Sequence, residues 1–189
     1  MEYLPSYVGI HFYEEITALA RITERLTKPA VAVLSGAKCE TKIPIIMKLS
    51  GMYDTIFVGG VIANTLLKHR GYNVGTSKVS DMIVPQVVID NDAIVLPRDV
   101  IVANSANTVR MVPVEKIGDD DMIIDIGDQT VETMRDVFMN AKTIIMNGPT
   151  GWYERGFTKQ TFLIVDMIRK TNAYTFAGGG DIVALLEQT

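Results

Sequence analysis

Little in this chain could form a disulfide, a metal cluster or a membrane span. Its 189 residues include one cysteine, Cys39, so no disulfide can close within the chain. A lone thiol fits a reducing compartment. The two histidines, His11 and His69, lie far apart and have no metal-ligand spacing. No apolar run approaches the ~20 residues of a membrane-spanning helix. The start, Met1-Glu2-Tyr3-Leu4-Pro5, lacks the basic residues and apolar stretch of a signal peptide, which makes the cytoplasm the expected location. Basic residues are not in excess: 18 Lys and Arg stand against 22 Asp and Glu, a net charge of −4. That balance argues against a general nucleic-acid binder. Neither the P-loop pattern nor the GxGxxG fingerprint occurs, which disfavours P-loop NTPases and ordinary NAD enzymes.

What the chain does have is an alternation of short apolar runs and helical patterns. Residues 7–26 carry Val8, Phe12, Ile16, Leu19, Ile22 and Leu26 among charged residues, and the later part has helical spacing, so an amphipathic helix is expected to end near Thr27. Ala30 to Leu34 is continuously apolar, the signature of a strand covered on both faces. Further strands are expected over 55–58, 93–96, 100–103, 122–126, 143–146 and 174–177, with an extended stretch over 109–117. Helices are expected around 41–50, 61–70, 129–140 and 158–170, with Gly71 ending the second of them and a short one opening at Asp181. Residues 73–91 show no clear period. Strands alternating with helices imply right-handed crossovers and a single α/β domain of three layers with a mostly parallel, Rossmann-like sheet. Val31, Val33, Ile56, Val58, Val95, Ile124, Ile144, Ile145 and Phe176 are its expected core.

Four glycine-bearing turns follow predicted strands: Ser35-Gly36-Ala37-Lys38, Gly59-Gly60, Asn147-Gly148-Pro149 and Gly178-Gly179-Gly180-Asp181. In sheets of this kind, ligands bind beyond the carboxyl ends of the strands. Glycines let another group approach the backbone closely, and free N–H groups at a helix start bind anions. A carboxylate beside such a site, Asp181, would repel a phosphate unless a cation lay between them, so the turn suggests phosphate with Mg²⁺. The bland alternative is a strand–helix turn with Asp181 as N-cap. Lys38 and Lys42 lie four apart, and an anion between them would relieve their repulsion; otherwise both are solvated surface lysines. In Asn147-Gly148-Pro149-Thr150-Gly151-Trp152-Tyr153-Glu154, the Asn147 amide can donate to a phosphate, Glu154 could accept from ribose hydroxyls and Trp152 offers a flat wall for a base. Alternatively this is a turn whose tryptophan packs on the core.

These blocks give the chain a family likeness. Ser35 to Ile43, Val58-Gly59-Gly60 with Leu66-Leu67-Lys68, Asn147 to Glu154 and Gly178-Gly179-Gly180-Asp181 stand in the order seen in the C-terminal, nucleotide-binding domain of phosphoglycerate kinase, which the chain resembles over residues 30–189. Leu96 to Val100 and Asp125-Ile126-Gly127 add to the match. Gly59 to Asn64 and Gly71 to Gly75 look most like the archaeal branch.

The resemblance implies ATP or ADP with Mg²⁺ as ligands. It implies that Lys38 and Lys42 contact the phosphates, with Lys42 nearest the transferred group, and that Gly36, Gly59 and Gly60 line the pocket. Asn147 would reach the phosphates, Pro149 and Trp152 the base, Glu154 the ribose, and Asp181 would hold the metal. Gly148, Gly151, Gly178, Gly179, Gly180 and Ile182 would complete the nucleotide site. Two departures stand out: Val61 replaces a glycine common in the family, and Ile182 replaces a Thr or Ser next to the metal-binding Asp. The resemblance takes in neither the family's phosphoglycerate-binding domain nor the segment that follows its last helix here. Residues 1–189 are thus expected to be the nucleotide half, with residues 1–28 a helix leading into it, and to be inactive without a phosphoglycerate-binding partner domain. The alternative from another class is a non-catalytic adenine-nucleotide-binding module.

Overall fold

In the computed structural model, residues 26–187 are described, and the helix expected over residues 7–26 falls outside that range but for its last residue. The strands are β1 (Ala30–Leu34), β2 (Thr55–Val58), β3 (Ile94–Val95), β4 (Asp99–Ala103), β5 (Val109–Pro113), β6 (Met122–Ile126), β7 (Thr143–Asn147) and β8 (Tyr174–Gly178). The helices are α1 (Cys39–Leu49), α2 (Gly60–His69), α3 (Gln86–Ile89), α4 (Asp128–Asn140), α5 (Lys159–Arg169) and α6 (Gly180–Glu187).

Five strands form one parallel sheet in the order β3-β2-β1-β7-β8. β1 lies at its centre with all five residues buried, as its unbroken apolar run requires of a strand packed on both faces. Alternate residues serve opposite cores. Ala30, Ala32 and Leu34 join Ile43 and Ile46 of α1 and Ile62 and Leu66 of α2 on one face. Val31 and Val33 join Phe57, Ile144, Met134 and Phe138 of α4, Ile164 of α5 and Ile182 of α6 on the other. The rings of Phe57 and Phe138 meet edge-on, with centroids 6.0 Å apart. This is the three-layer architecture expected from the alternation of strands and helices.

The expected core needs correction in four places. Val31, Val33, Ile56, Val58 and Ile144 are buried in the parallel sheet, but Val95, Ile145 and Phe176 are only partly so. Ile124 is buried in a different sheet: β4, β5 and β6 pair antiparallel in the order β5-β4-β6. Apolar runs at 100–103 and 122–126 suit either kind of pairing, so composition could not assign them. β8, which carries the expected core residue Phe176, is an edge strand among the described residues, with Thr175 and Ala177 exposed. The extended stretch from Val109 ends at Pro113 and continues as a 3₁₀ turn over Val114–Lys116.

One buried carboxylate ties the second sheet to the helical layer. Asp99, at the start of β4, accepts hydrogen bonds from the N–H groups of Gln129 (3.0 Å) and Thr130 (2.8 Å) and from Thr130 Oγ1 (2.6 Å). It thereby satisfies the free donors of the first turn of α4 from outside the helix and meets the positive end of its dipole. A Cβ at Gly127 would lie 2.2 Å from this carboxylate, so the approach needs glycine there.

Candidate functional site

The parallel sheet reverses its winding between β1 and β7, the place where open α/β sheets bind ligands. All four glycine-bearing turns follow the carboxyl ends of β1, β2, β7 and β8. They border a cavity of about 590 Å³, within the range of small-molecule sites.

Of the residues singled out in the sequence, Gly36, Lys38, Lys42, Gly60, Asn147, Gly148, Pro149, Gly151, Trp152, Glu154, Gly179 and Asp181 line this cavity. Gly59, Gly178, Gly180 and Ile182 do not. Gly59 is buried beneath the cavity, where a Cβ would come within 2.8 Å of Ser35 Oγ. The side chain of Ile182 is fully buried in the core shared with α4 and α5, so it offers the cavity no group of its own. Replacing a hydroxyl residue by isoleucine there turns the first turn of α6 into a packing element.

Lys42 is the best-anchored cation of the site. Helix α1 begins at Cys39, two residues earlier than expected, which leaves Lys38 at the N-cap and puts Lys42 in the second turn. Lys42 Nζ donates to the backbone oxygens of Ser35 (2.9 Å) and Asn147 (3.4 Å) and to Asn147 Oδ1. All three acceptors are formally neutral, and no carboxylate pairs with this ammonium group among the described residues. Its burial lowers its pKa from the usual lysine value. A partly buried cation without a counter-charge, at the mouth of β1 and β7, favours an anion beside it. Asn147 joins two turns: its Oδ1 holds Lys42, while its Nδ2 lies 3.3 Å from where a Cβ of Gly178 would stand.

The rest of the wall is held by backbone contacts. Trp152 N–H donates to Ile124 O (2.9 Å), which pins the Asn147–Glu154 loop to β6. The Arg155 guanidinium sits 4.3 Å from the centre of the Trp152 ring, so one face of the indole is already covered. Glu154 and Asp181 are exposed carboxylates on the wall.

A divalent cation can be tested against these donors. Among the described residues no group of three or more His, Cys, Asp or Glu could hold a metal by itself. A single carboxylate, Asp181 at the start of α6, fits an ion that arrives with phosphate oxygens and keeps its waters, as Mg²⁺ does. It does not fit a resident metal in an all-protein cage.

Among the lining residues that reasoning from sequence did not single out are the polar Asn64, Thr76, Lys78 and Asp125. Thr76 and Lys78 lie in the unpatterned stretch after α2, where no periodicity pointed to a site, and Asn64 sits inside α2, where it reads as an ordinary helix residue. Asp125 stands in a block quoted for the family likeness, but nothing in its strand marked it as a cavity group. It is 3% exposed, and burial pushes its carboxyl up to about 7. Hydrogen bonds from Thr150 and from the backbone of Ile126 and Gln160 oppose that rise without cancelling it. A Cβ at Gly151 would fall 2.4 Å from Asp125 Oδ2, so the loop can lie against this carboxyl only as glycine.

The family model for phosphoglycerate kinase matches residues 1–189. The chain belongs to the phosphoglycerate kinase family. The phosphoglycerate kinase of Baumannia cicadellinicola subsp. Homalodisca coagulata is 34% identical over 183 residues, covering 95% of this chain and 47% of that protein. The structure of phosphoglycerate kinase from Coxiella burnetii superposes with a TM-score of 0.82 at 32% identity, over 95% of this chain and 49% of that one. For phosphoglycerate kinase from Pyrococcus horikoshii OT3 the TM-score is 0.78 at 25% identity, with the same coverage, 95% and 49%. Identity is thus higher to these two bacterial kinases than to the archaeal one. The chain spans about half the length of the phosphoglycerate kinases it matches. Among the described residues no helix is long and apolar enough to cross a membrane.

Proposed function

We propose that this chain is the C-terminal, ATP/ADP-binding half of a phosphoglycerate kinase, which takes part in phosphoryl transfer between 1,3-bisphosphoglycerate and ADP in glycolysis and gluconeogenesis. The observation that carries the reading is Lys42, a partly buried ammonium without a counter-charge among the described residues, at the winding reversal of the sheet and among glycine turns that admit a polyphosphate. Phosphoryl transfer depends on positioning and on charge stabilisation more than on covalent chemistry from the protein. Lys42 would meet the phosphate nearest the transfer, and Asn147 keeps it aimed there. Lys38, at the N-cap of α1, supplies a second charge. Gly36, Gly60, Gly148 and Gly179 let phosphate oxygens reach the backbone. Pro149 and Trp152 face the base, and Glu154 accepts from the ribose. Mg²⁺, when bound, neutralises charge between the phosphates, and Asp181 would hold it.

Titrating residues 1–189 with MgADP tests this in a calorimeter. Binding heat is expected, and Lys42→Ala is expected to weaken it by about 1.5–3 kcal/mol, roughly ten- to a hundred-and-fifty-fold. Equal affinity in the variant would remove Lys42 from the site.

The same polypeptide is expected not to turn over phosphoglycerate by itself. In-line transfer needs donor and acceptor held at about 3–3.5 Å with water excluded, and the second wall of that cleft would come from a phosphoglycerate-binding domain. With MgATP and 3-phosphoglycerate, ADP formation should match the no-protein control. Turnover at ~1–100 s⁻¹ would place the acceptor site within these residues.

A further inference from the structure

The cavity contains a third lysine to which the nucleotide reading gives no task. Lys78 lines the cavity and is exposed, and its ammonium group makes no hydrogen bond or ion pair among the described residues. Glu40 feels its charge, but that carboxylate is already held by Ser80 Oγ at 2.7 Å.

The backbone that carries Lys78 is fixed. Its carbonyl accepts from Asn64 Nδ2 (3.1 Å), the neighbouring Ser77 Oγ accepts from Ile123 N–H (2.8 Å), and Thr76 N–H donates to Asp121 O (2.8 Å). Gly75, at φ +53°, lies so close to Asp121 O that a Cβ there would come within 2.1 Å of it. These contacts tie the stretch to β6, whose Met122, Ile123 and Ile124 form an apolar wall with Val61 and Val100. The phosphate-type groups, by contrast, come from the ends of β1, β7 and β8. Lys78 therefore belongs to the apolar side of the cavity, where a flat base would lie against β6.

We propose that Lys78 reads the edge of the nucleobase and favours a 6-oxopurine, guanine or hypoxanthine, over adenine. The inference rests on the nucleotide reading above. An ammonium group has three donors and no acceptor. A 6-oxopurine offers it two adjacent acceptors, O6 and N7, whereas adenine offers N7 beside an amino group that only donates there. The side chain is exposed and flexible, so it biases the choice of base without excluding adenine.

The test is calorimetric titration of the full chain with the Mg²⁺ complexes of ADP, GDP and IDP; IDP isolates O6, because hypoxanthine lacks the 2-amino group. GDP and IDP are expected to bind about five- to tenfold more tightly than ADP, the lower part of what one directed contact at a base edge supplies. Lys78→Met should remove that advantage and leave ADP within about twofold, while Lys78→Arg should keep it. Affinity for IDP equal to or below that for ADP overturns the proposal. So does an equal loss for all three ligands in Lys78→Met, which would make Lys78 a phosphate contact. Binding of none of the three would overturn the nucleotide reading itself, and this inference with it.

Discussion

Gly148→Ala is expected to abolish nucleotide binding and to lower folding stability by about 3 kcal/mol or more. Two costs combine. Gly148 has φ +87°, where a side chain costs roughly 1–2 kcal/mol. Its Cβ would also lie 2.4 Å from Ser35 O and 3.0 Å from Ser35 C. Those are backbone atoms, so no rotamer change relieves the overlap. The same carbonyl accepts from Lys42 Nζ at 2.9 Å, and Ser35 N–H donates to Asn147 O at 2.9 Å. Pushing the two turns apart breaks the mount of the cation as well as the sheet end. Gly156→Ala is the control: its φ is +81°, but nothing lies within 4 Å of a Cβ there, so only the conformational cost of roughly 1–2 kcal/mol remains. Denaturant midpoints for the two variants, with MgADP titrations, decide the matter. Similar losses in both, or retained affinity in Gly148→Ala, would show that the close approach at Ser35 is not essential.

The second large effect is in the pH dependence of stability. The Asp125 carboxyl, at about 7 in the folded chain against 3.8 for a free aspartate, keeps its proton in the native state over a range where the unfolded chain has lost it. Between those values the folded form binds more protons than the unfolded form, so stability falls as pH rises. The contribution is full below pH 3.8 and lost by about pH 7, and it amounts to about 4 kcal/mol at most. Asp125→Asn keeps an acceptor for the Ile126 N–H, which now bonds Oδ1 at 2.8 Å, and removes the titration. Urea unfolding from pH 4 to 8 should show the variant gaining on the parent as pH rises. Parallel profiles would mean that Asp125 is ionised in the fold throughout. Other carboxylates titrate in the same window, which is why the difference between the profiles is the quantity to read.

Much of the frame was legible because central parallel strands leave a strong mark. Ala30–Leu34, Ile56–Val58 and Ile144–Met146 are apolar without interruption, and each became part of a strand of the main sheet at the expected place. The turns after them announced the site through glycine. What could not be read were facts about partners distant in sequence. Whether Val100–Ala103 pairs parallel with β3 or antiparallel with β5 is not encoded in its own residues. Nor does Phe176 reveal that its strand lies at the edge of the sheet among the described residues. Lys78 escaped for a related reason: it enters the cavity only because Ser77 and Thr76 bind the β6 segment more than forty residues away. Asp125 looked like a strand-end aspartate, and only the Gly151 backbone over it makes it a buried acid.

The winding reversal at β1 and β7 also has a consequence for how the chain assembles. Ala30 and Asp54, which bond next to the β1–β2 pairing, are 24 residues apart, whereas Thr27 and Thr143, beside the β1–β7 pairing, are 116 apart. By the logarithmic law for loop closure, joining the second pair costs about 1.4 kcal/mol more chain entropy than joining the first. The seam that holds the cavity is thus the costliest pairing of the main sheet to close and the most rewarding for the chain to open. A ligand of the proposed kind, gripped by Lys42 on one side and by the Asn147 turn on the other, would work against that opening as a clasp. At a hundred times its dissociation constant it would add about 2.7 kcal/mol to the closed state, about twice the entropic handicap of the long loop.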